Sequence, residues 1–179
     1  MRITAGSLRG RRLASPIQSD VRPTPSKVRE ALFNILGDIT GWRVLDLFAG
    51  SGLMALEAIS RNASAISVEQ HAANCRTMRK LREDWRLSES WQIIAGHLPD
   101  ALSALEGQSF DLVYADPPYA AGIAAQIPAW LDVHAIHTTR LVIEEAAAVQ
   151  PDWPENWTVA RSRRYGATCL HFLEPEGTP

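Results

Sequence analysis

Two short loops carry the residues with chemistry to offer. The tetrad Asp116-Pro117-Pro118-Tyr119 follows the apolar run from Phe110 to Ala115. An amino group on guanine, adenine or cytosine delocalises its lone pair into the ring and is a poor nucleophile. Two acceptors aimed at its hydrogens, the Asp116 carboxylate and the Pro117 carbonyl, would turn the lone pair outward and stabilise positive charge as it develops. Proline fixes the backbone and removes N–H donors, so Pro117 and Pro118 suit rigid acceptors. Tyr119 offers a ring face for stacking, worth about 1–3 kcal/mol per base.

The second loop is Asp46-Leu47-Phe48-Ala49-Gly50-Ser51-Gly52, ahead of a helical pattern that starts at Leu53. Its glycines permit a tight turn and close backbone approach, and the helix points its first amides at a ligand. Gly50 to Ala55 also satisfies GxGxxA, a dinucleotide-binding pattern that is weak when it stands alone. Asp46 separates the two readings. A carboxylate at the turn suits the ammonium of S-adenosylmethionine (SAM) and would repel a pyrophosphate. Glu69, after the next apolar run, is placed to accept from ribose hydroxyls. Taken together, the loops predict methyl transfer from SAM to a nucleobase nitrogen. That reaction requires neither metal nor covalent enzyme intermediate, and Cys75 and Cys169 show no CxxC spacing and no Cys/His clustering. No metal site is expected.

Alternating elements must position these loops. Val28, Ala31, Leu32, Ile35 and Leu36 recur at helical spacing after the cap and start signals Thr24 and Pro25. Strands are predicted over 42–47, 65–68 ending at Glu69, 91–95, 110–115 and 141–143. Helices are predicted from Leu53 to Ile59, around Asn74, Met78, Leu81 and Trp85, over 99–105, and over 123–131 with a break near Pro128. The alternation implies a parallel sheet with helices on both faces. Residues 157–164 and 167–173 flank Tyr165-Gly166 and read as a closing antiparallel hairpin. The expected fold class is α/β, a Rossmann-like class I SAM-dependent methyltransferase with a mostly parallel seven-stranded sheet. In such sheets ligands sit outside the carboxyl ends of the strands, where Asp46, Glu69, His97 and Asp116 are predicted to fall.

A chain of 179 residues fits one domain. Its net charge of −2 argues against a generic nucleic-acid binder, but the distribution is lopsided. Residues 1–30 hold seven bases against two acids, a net +5, which leaves −7 for the rest. A basic arm on an acidic body suits a polyanion held at one edge; a solvated tail has the same composition. The arm is taken as residues 1–23, within the same domain as the methyltransferase body, 24–179, with Arg2, Arg9, Arg11, Arg12 and Arg22 as RNA contacts. The basic residues of the third helical segment, Arg76, Arg79, Lys80, Arg82 and Arg86, read as a solvated face. No leader or membrane-length apolar run is found, so a soluble, cytoplasmic protein without membrane contact is expected.

The segments MRITAGSLRGRRL, RPTPSKVREALFNIL, DLFAGSG, DPPY and RRYGATCLHF together resemble the RsmD family, the bacterial 16S rRNA (guanine(966)-N2)-methyltransferases. The resemblance spans nearly the whole chain, and the arm with the RPTP helix is its most specific part. It implies SAM as cofactor, held by Asp46, Phe48, Ala49, Gly50, Ser51, Gly52, Glu69, Gln70, His97 and Leu98, with Asp116, Pro117, Pro118 and Tyr119 on the target amine. It also implies 16S rRNA in an assembled or assembling small ribosomal subunit as partner; the chain itself is expected to be a monomer. Relatives often carry an acid after the third strand; here Gly96-His97-Leu98 stands there, which leaves the adenine to His97 or to backbone groups. A DNA adenine or cytosine amino-methyltransferase shares the DPPY chemistry, and a non-catalytic ribosome-assembly module would keep the arm and fold.

Overall fold

The computed structural model describes residues 1–13, 26–118 and 122–177. Strands β1 (Arg43–Leu47), β2 (Ser64–Glu69), β3 (Trp91–Ala95), β4 (Ser109–Phe110), β5 (Leu112–Ala115), β6 (His137–Thr138), β7 (Leu141–Ala146), β8 (Trp157–Tyr165) and β9 (Thr168–Pro175) alternate in the first half with helices α1 (Ser26–Leu36), α2 (Leu53–Ile59) and α3 (Ala72–Asp84); a 3-10 turn (Asp100–Leu105) precedes β4, and a second (Ala124–Gln126) leads into α4 (Ile127–Val133). Seven strands form one sheet in the order β3-β2-β1-β5-β7-β9-β8. The first five in that order are parallel, while β9 runs antiparallel to both β7 and β8. Strand β8 therefore points the same way as β5 and β7.

Both faces of the sheet are covered, which is why the central strands read as continuous apolar runs. One face packs the N-terminal segment, α1, α2 and α3 against residues such as Tyr114, Val142 and Phe172. The other packs Leu102, Leu105, Ile127 and Leu131 against Leu45, Val113 and Ile143. Of the predicted stripe, α1 buries Val28, Leu32 and Leu36 and half-buries Ala31 and Ile35, and it buries Phe33 as well. It also buries Arg29, whose Nε donates to Glu57 Oε1 at 2.8 Å. Glu57 accepts further from Thr4 N–H at 2.8 Å, from Thr4 Oγ1 at 2.9 Å and from Arg61. Residues 1–13 are thus fastened to the body: Ile3, Leu8 and Leu13 are buried, and Leu13 N–H donates to Met1 O at 2.9 Å.

Four predicted elements differ in detail, the first being the helix expected over 99–105, which is the 3-10 turn Asp100–Leu105. The run from Phe110 to Ala115 is two strands, because Asp111 turns its carboxylate to the Arg43 N–H at 2.7 Å and β4 leaves the main sheet to pair with β6. Pro128 does not break a helix; it occupies the first turn of α4, where a missing N–H costs nothing, and the irregular part precedes it. Strand β7 continues past Ile143 through Glu144 and Glu145. Burial of these acids is tolerated because Tyr114 Oη donates to Glu144 Oε2 at 2.8 Å and Ala146 N–H donates to Glu145 Oε1 at 2.7 Å. Thr24 and Pro25 lie outside the described residues.

Candidate active site

A cavity of about 330 Å³ opens at the carboxyl ends of the parallel strands, where a sheet of this topology holds ligands. Four loops meet there. Phe48 and Gly50 come from the loop after β1; Glu69, Gln70 and His71 from the end of β2, with Asn74 from α3; Gly96 and Leu98 follow β3; Asp116, Pro117 and Pro118 follow β5. Ile123 and Trp130 close the far side, and the Trp130 ring lies 6.4 Å from that of Phe48, tilted by 42°.

Glu69 is the hub of the cofactor side. Its Oε2 accepts from the Gly50 N–H and its Oε1 from the His71 N–H, both at 2.7 Å. One carboxylate thereby ties the glycine loop to the start of α3, and each oxygen retains a second lone pair for a hydroxyl on the cavity side. Gly50 has φ +56°, and a Cβ built on it would meet only Phe48 O, at 3.9 Å, so bare backbone faces open space. Phe48 itself holds a left-handed φ of 61°, a strained conformation for a bulky residue in a loop that lines a ligand cavity.

The two glycines do different work. A Cβ on Gly52 would fall 2.5 Å from Trp91 Cζ2 and 2.8 Å from Met78 Sδ. Gly52 is thus required by packing of α2 on the core, and it does not line the cavity. Ala49 and Ser51 do not line it either. Asp46 lies within β1, inside the strand predicted over 42–47, is 1% exposed, does not line the cavity, and accepts from the Ala55 N–H at 3.3 Å. Burial pushes its carboxyl up to about 7; the Ala55 bond pulls it down and the nearby charge of Glu69 adds to the rise. His97 is exposed and lies off the lining, flanked by Gly96 and Leu98, which are on it. Tyr119 and Arg22 lie outside the described residues. The arm residues Arg2, Arg9, Arg11 and Arg12 are exposed, with the Arg11 guanidinium 4.9 Å from the centre of the Trp85 ring.

Sequence reasoning missed His71, Asn74, Ile123 and Trp130. Asn74 had a signal: an amide on the inner stripe of an otherwise apolar helix face, buried here beside the cavity. Trp130 had none, since an aromatic on a helix reads as core.

The donor set fits a nucleoside: a carboxylate for a diol, a glycine turn open to the cavity, apolar walls, and an Asp-Pro-Pro turn opposite. Comparison with known proteins agrees with that geometry. The family model described as Conserved hypothetical protein 95 matches residues 1–174. The ribosomal RNA small subunit methyltransferase D of Haemophilus influenzae is 32% identical, over 97% of this chain and 93% of that protein. The chain belongs to this family, the RsmD family. Its Escherichia coli member, also called ribosomal RNA small subunit methyltransferase D, is 29% identical over 98% of this chain and 90% of its own length. Among solved structures, the yhhF protein of Escherichia coli superposes with a TM-score of 0.83 at 29% identity, covering 99% of both chains. An RNA methyltransferase of Salinibacter ruber, solved with S-adenosyl-L-homocysteine, shares the RsmD-family fold with a TM-score of 0.66 at 18% identity, over 88% of this chain and 97% of that one.

Proposed function

We propose that this chain methylates the exocyclic N2 amine of a guanine in 16S rRNA of the small ribosomal subunit, with SAM as methyl donor. The observation that carries the reading is that Asp116, Pro117 and Pro118 line the same cavity as Gly50 and Glu69. Target-side acceptors and cofactor-side groups share one space of about 330 Å³, inside the range usual for small-molecule sites. The names of the Escherichia coli and Haemophilus influenzae relatives support ribosomal RNA of the small subunit as the substrate.

SAM supplies an electrophilic methyl carbon on a sulfonium sulfur, which leaves with the electron pair of the broken C–S bond. The chain's own groups do the rest. Glu69 accepts from the ribose hydroxyls while holding the glycine loop closed. The backbone at Gly50 approaches the methionyl end without a side chain in the way. Gly96 and Leu98 would flank the adenine, with backbone groups there to read it in place of an acid. Asp116 and the Pro117 carbonyl accept from the two amine hydrogens, so the nitrogen's lone pair faces the methyl carbon, and the carboxylate offsets the charge the nitrogen gains. The surplus proton then leaves the nitrogen to the Asp116 carboxylate or to water. A base stacked in structured RNA is first turned out, at a cost of a few kcal/mol.

The test is methyl incorporation from labelled SAM into small subunits prepared from cells lacking the gene, with mass mapping of the modified nucleotide. Asp116→Ala should lose at least about two orders of magnitude in rate with SAM affinity nearly unchanged. A variant as fast as wild type would sink the mechanism. Modification of duplex DNA in place of ribosomal particles would sink the substrate assignment.

A further inference from the structure

The closing hairpin carries a second concentration of positive charge that no step above uses. Arg161, Arg163 and Arg164 are all exposed on β8, the edge strand of the sheet. None of them is in an ion pair among the described residues. Register fixes where they sit. Arg163 lies opposite Leu170, Leu170 opposite Glu144, and Glu144 follows Ile143, which is opposite Ala115. Arg163 is therefore level with Asp116, three strands away, about 14 Å at a strand spacing of about 4.8 Å. Because β8 runs parallel to β5, the arginines approach the rim that holds the cavity, not the opposite end of the sheet.

Side chains alternate along β8, so Arg161, opposite Phe172, and Arg163, opposite Leu170, project to one face. That is the face on which α1 and residues 1–13 pack, since Leu170 and Phe172 share a core with Ile3, Leu8 and Leu32. The exposed arginines of the N-terminal segment and this pair thus belong to one side of the molecule. Arg164 points to the other face, and its Nε donates to Gly166 O at 3.0 Å, which holds the turn. The acids of β7, Glu144 and Glu145, two strands in, are buried, and the exposed acid of β9, Glu174, lies opposite Thr158 toward the other end of β8.

We infer that Arg161 and Arg163 form an RNA phosphate-binding edge that grips the strand a few nucleotides from the base presented to Asp116. The inference rests on the proposed RNA substrate and adds a surface to it. A body that carries net negative charge outside its first thirty residues needs local positive charge wherever a polyanion must lie close. Charged side chains also blunt an edge strand against pairing with another chain, and that role alone would make a neutral variant associate without altering RNA binding.

The experiment measures binding of the full chain to undermethylated small subunits across a salt series, together with methylation KM, SAM affinity, melting temperature and oligomeric state. Arg161→Ala/Arg163→Ala is compared with wild type and with Arg79→Ala/Lys80→Ala on the exposed side of α3, which removes the same charge. The hairpin variant should bind at least about tenfold more weakly, with its log–log salt slope reduced by one to two and SAM affinity and melting unchanged. An unchanged slope and KM in the hairpin variant, beside a wild type that methylates the subunit, overturns the edge alone. Equal loss in the α3 control, or association of the hairpin variant with RNA binding intact, overturns it as well. A wild type that neither binds nor methylates the subunit overturns the substrate reading and this edge together.

Discussion

Asp46→Asn should stabilise the protein above pH 7 and impair it as an enzyme. The wild-type carboxyl is buried under the start of α2 with one amide donor, and its ionisation moves from 3.8 to about 7 on folding, chiefly by burial. A shift of about three units, at 1.36 kcal/mol each, is about 4 kcal/mol. The folded chain keeps a proton between about pH 4 and pH 7 that the unfolded chain has released, so the contribution is fully present below pH 4 and is lost as the pH rises through 7. Asparagine never ionises and keeps an acceptor for the Ala55 N–H, but its NH2 group needs a partner of its own, which costs about 1–3 kcal/mol. Net stabilisation of roughly 1–3 kcal/mol is expected at pH 8, fading or reversing at pH 5. Urea unfolding of both proteins from pH 5 to pH 9 reads it directly, and the difference between them cancels the titrating groups that do not interact with Asp46. A difference that stays constant across that range would refute the burial argument. The same variant should bind SAM more weakly, because the loop from β1 into α2 is arranged around this carboxylate.

Three further outcomes follow from the geometry. Gly52→Ala places a methyl group 2.5 Å from Trp91 at a φ of +74° and should cost about 3 kcal/mol in denaturant unfolding; Gly50→Ala, with open space around it, should cost about 1 kcal/mol and lose SAM affinity instead. Glu57→Ala leaves the Arg29 guanidinium buried without its carboxylate, so a loss of about 3–5 kcal/mol is expected, with limited proteolysis cutting first within residues 1–13. His171 is packed on Trp153 at 5.4 Å with its Nδ1 on Ser162 Oγ, and burial holds its imidazole below the usual 6.5. Its contribution is present above that pH and is lost as the pH falls through the folded value, so the melting temperature of His171→Leu should decline less than that of wild type between pH 7 and pH 5.

Element types were legible because the pattern is strong where the fold is strongest. β1, β2 and β5 are buried along nearly their whole length because both sheet faces are covered there, while β3 at the sheet's edge alternates; α1 and α3 show an apolar stripe because only one side of each is covered, and the short α2 is buried all round. The misreadings fall where a local polar group overrides the pattern. Asp111 ends a strand early by taking the Arg43 amide, and Glu144 and Glu145 prolong one because hydrogen bonds make buried acids tolerable. Neither event has a sequence signature, since both depend on which strand lies alongside.

At the site, the loops were legible and the division of labour within them was not. Spacing alone puts Asp46, Gly50 and Gly52 in one motif, but only packing reveals that Gly50 faces the cavity, Gly52 faces Trp91, and Asp46 supports the loop from inside the sheet. A glycine-rich loop is therefore two constraints written as one pattern: an opening toward the ligand and a close fit toward the core. Glu69 joins them, because its bonds to Gly50 and His71 fix the open side while β2 and β3 pair behind it in register from Ala65 to Glu69. Neutralising it therefore tests binding and shape together. Glu69→Gln keeps one oxygen for the Gly50 amide but presents an NH2 group to the His71 N–H, two donors face to face. The loop and α3 should then lose their common tie, and the ligand its acceptor, in a single substitution.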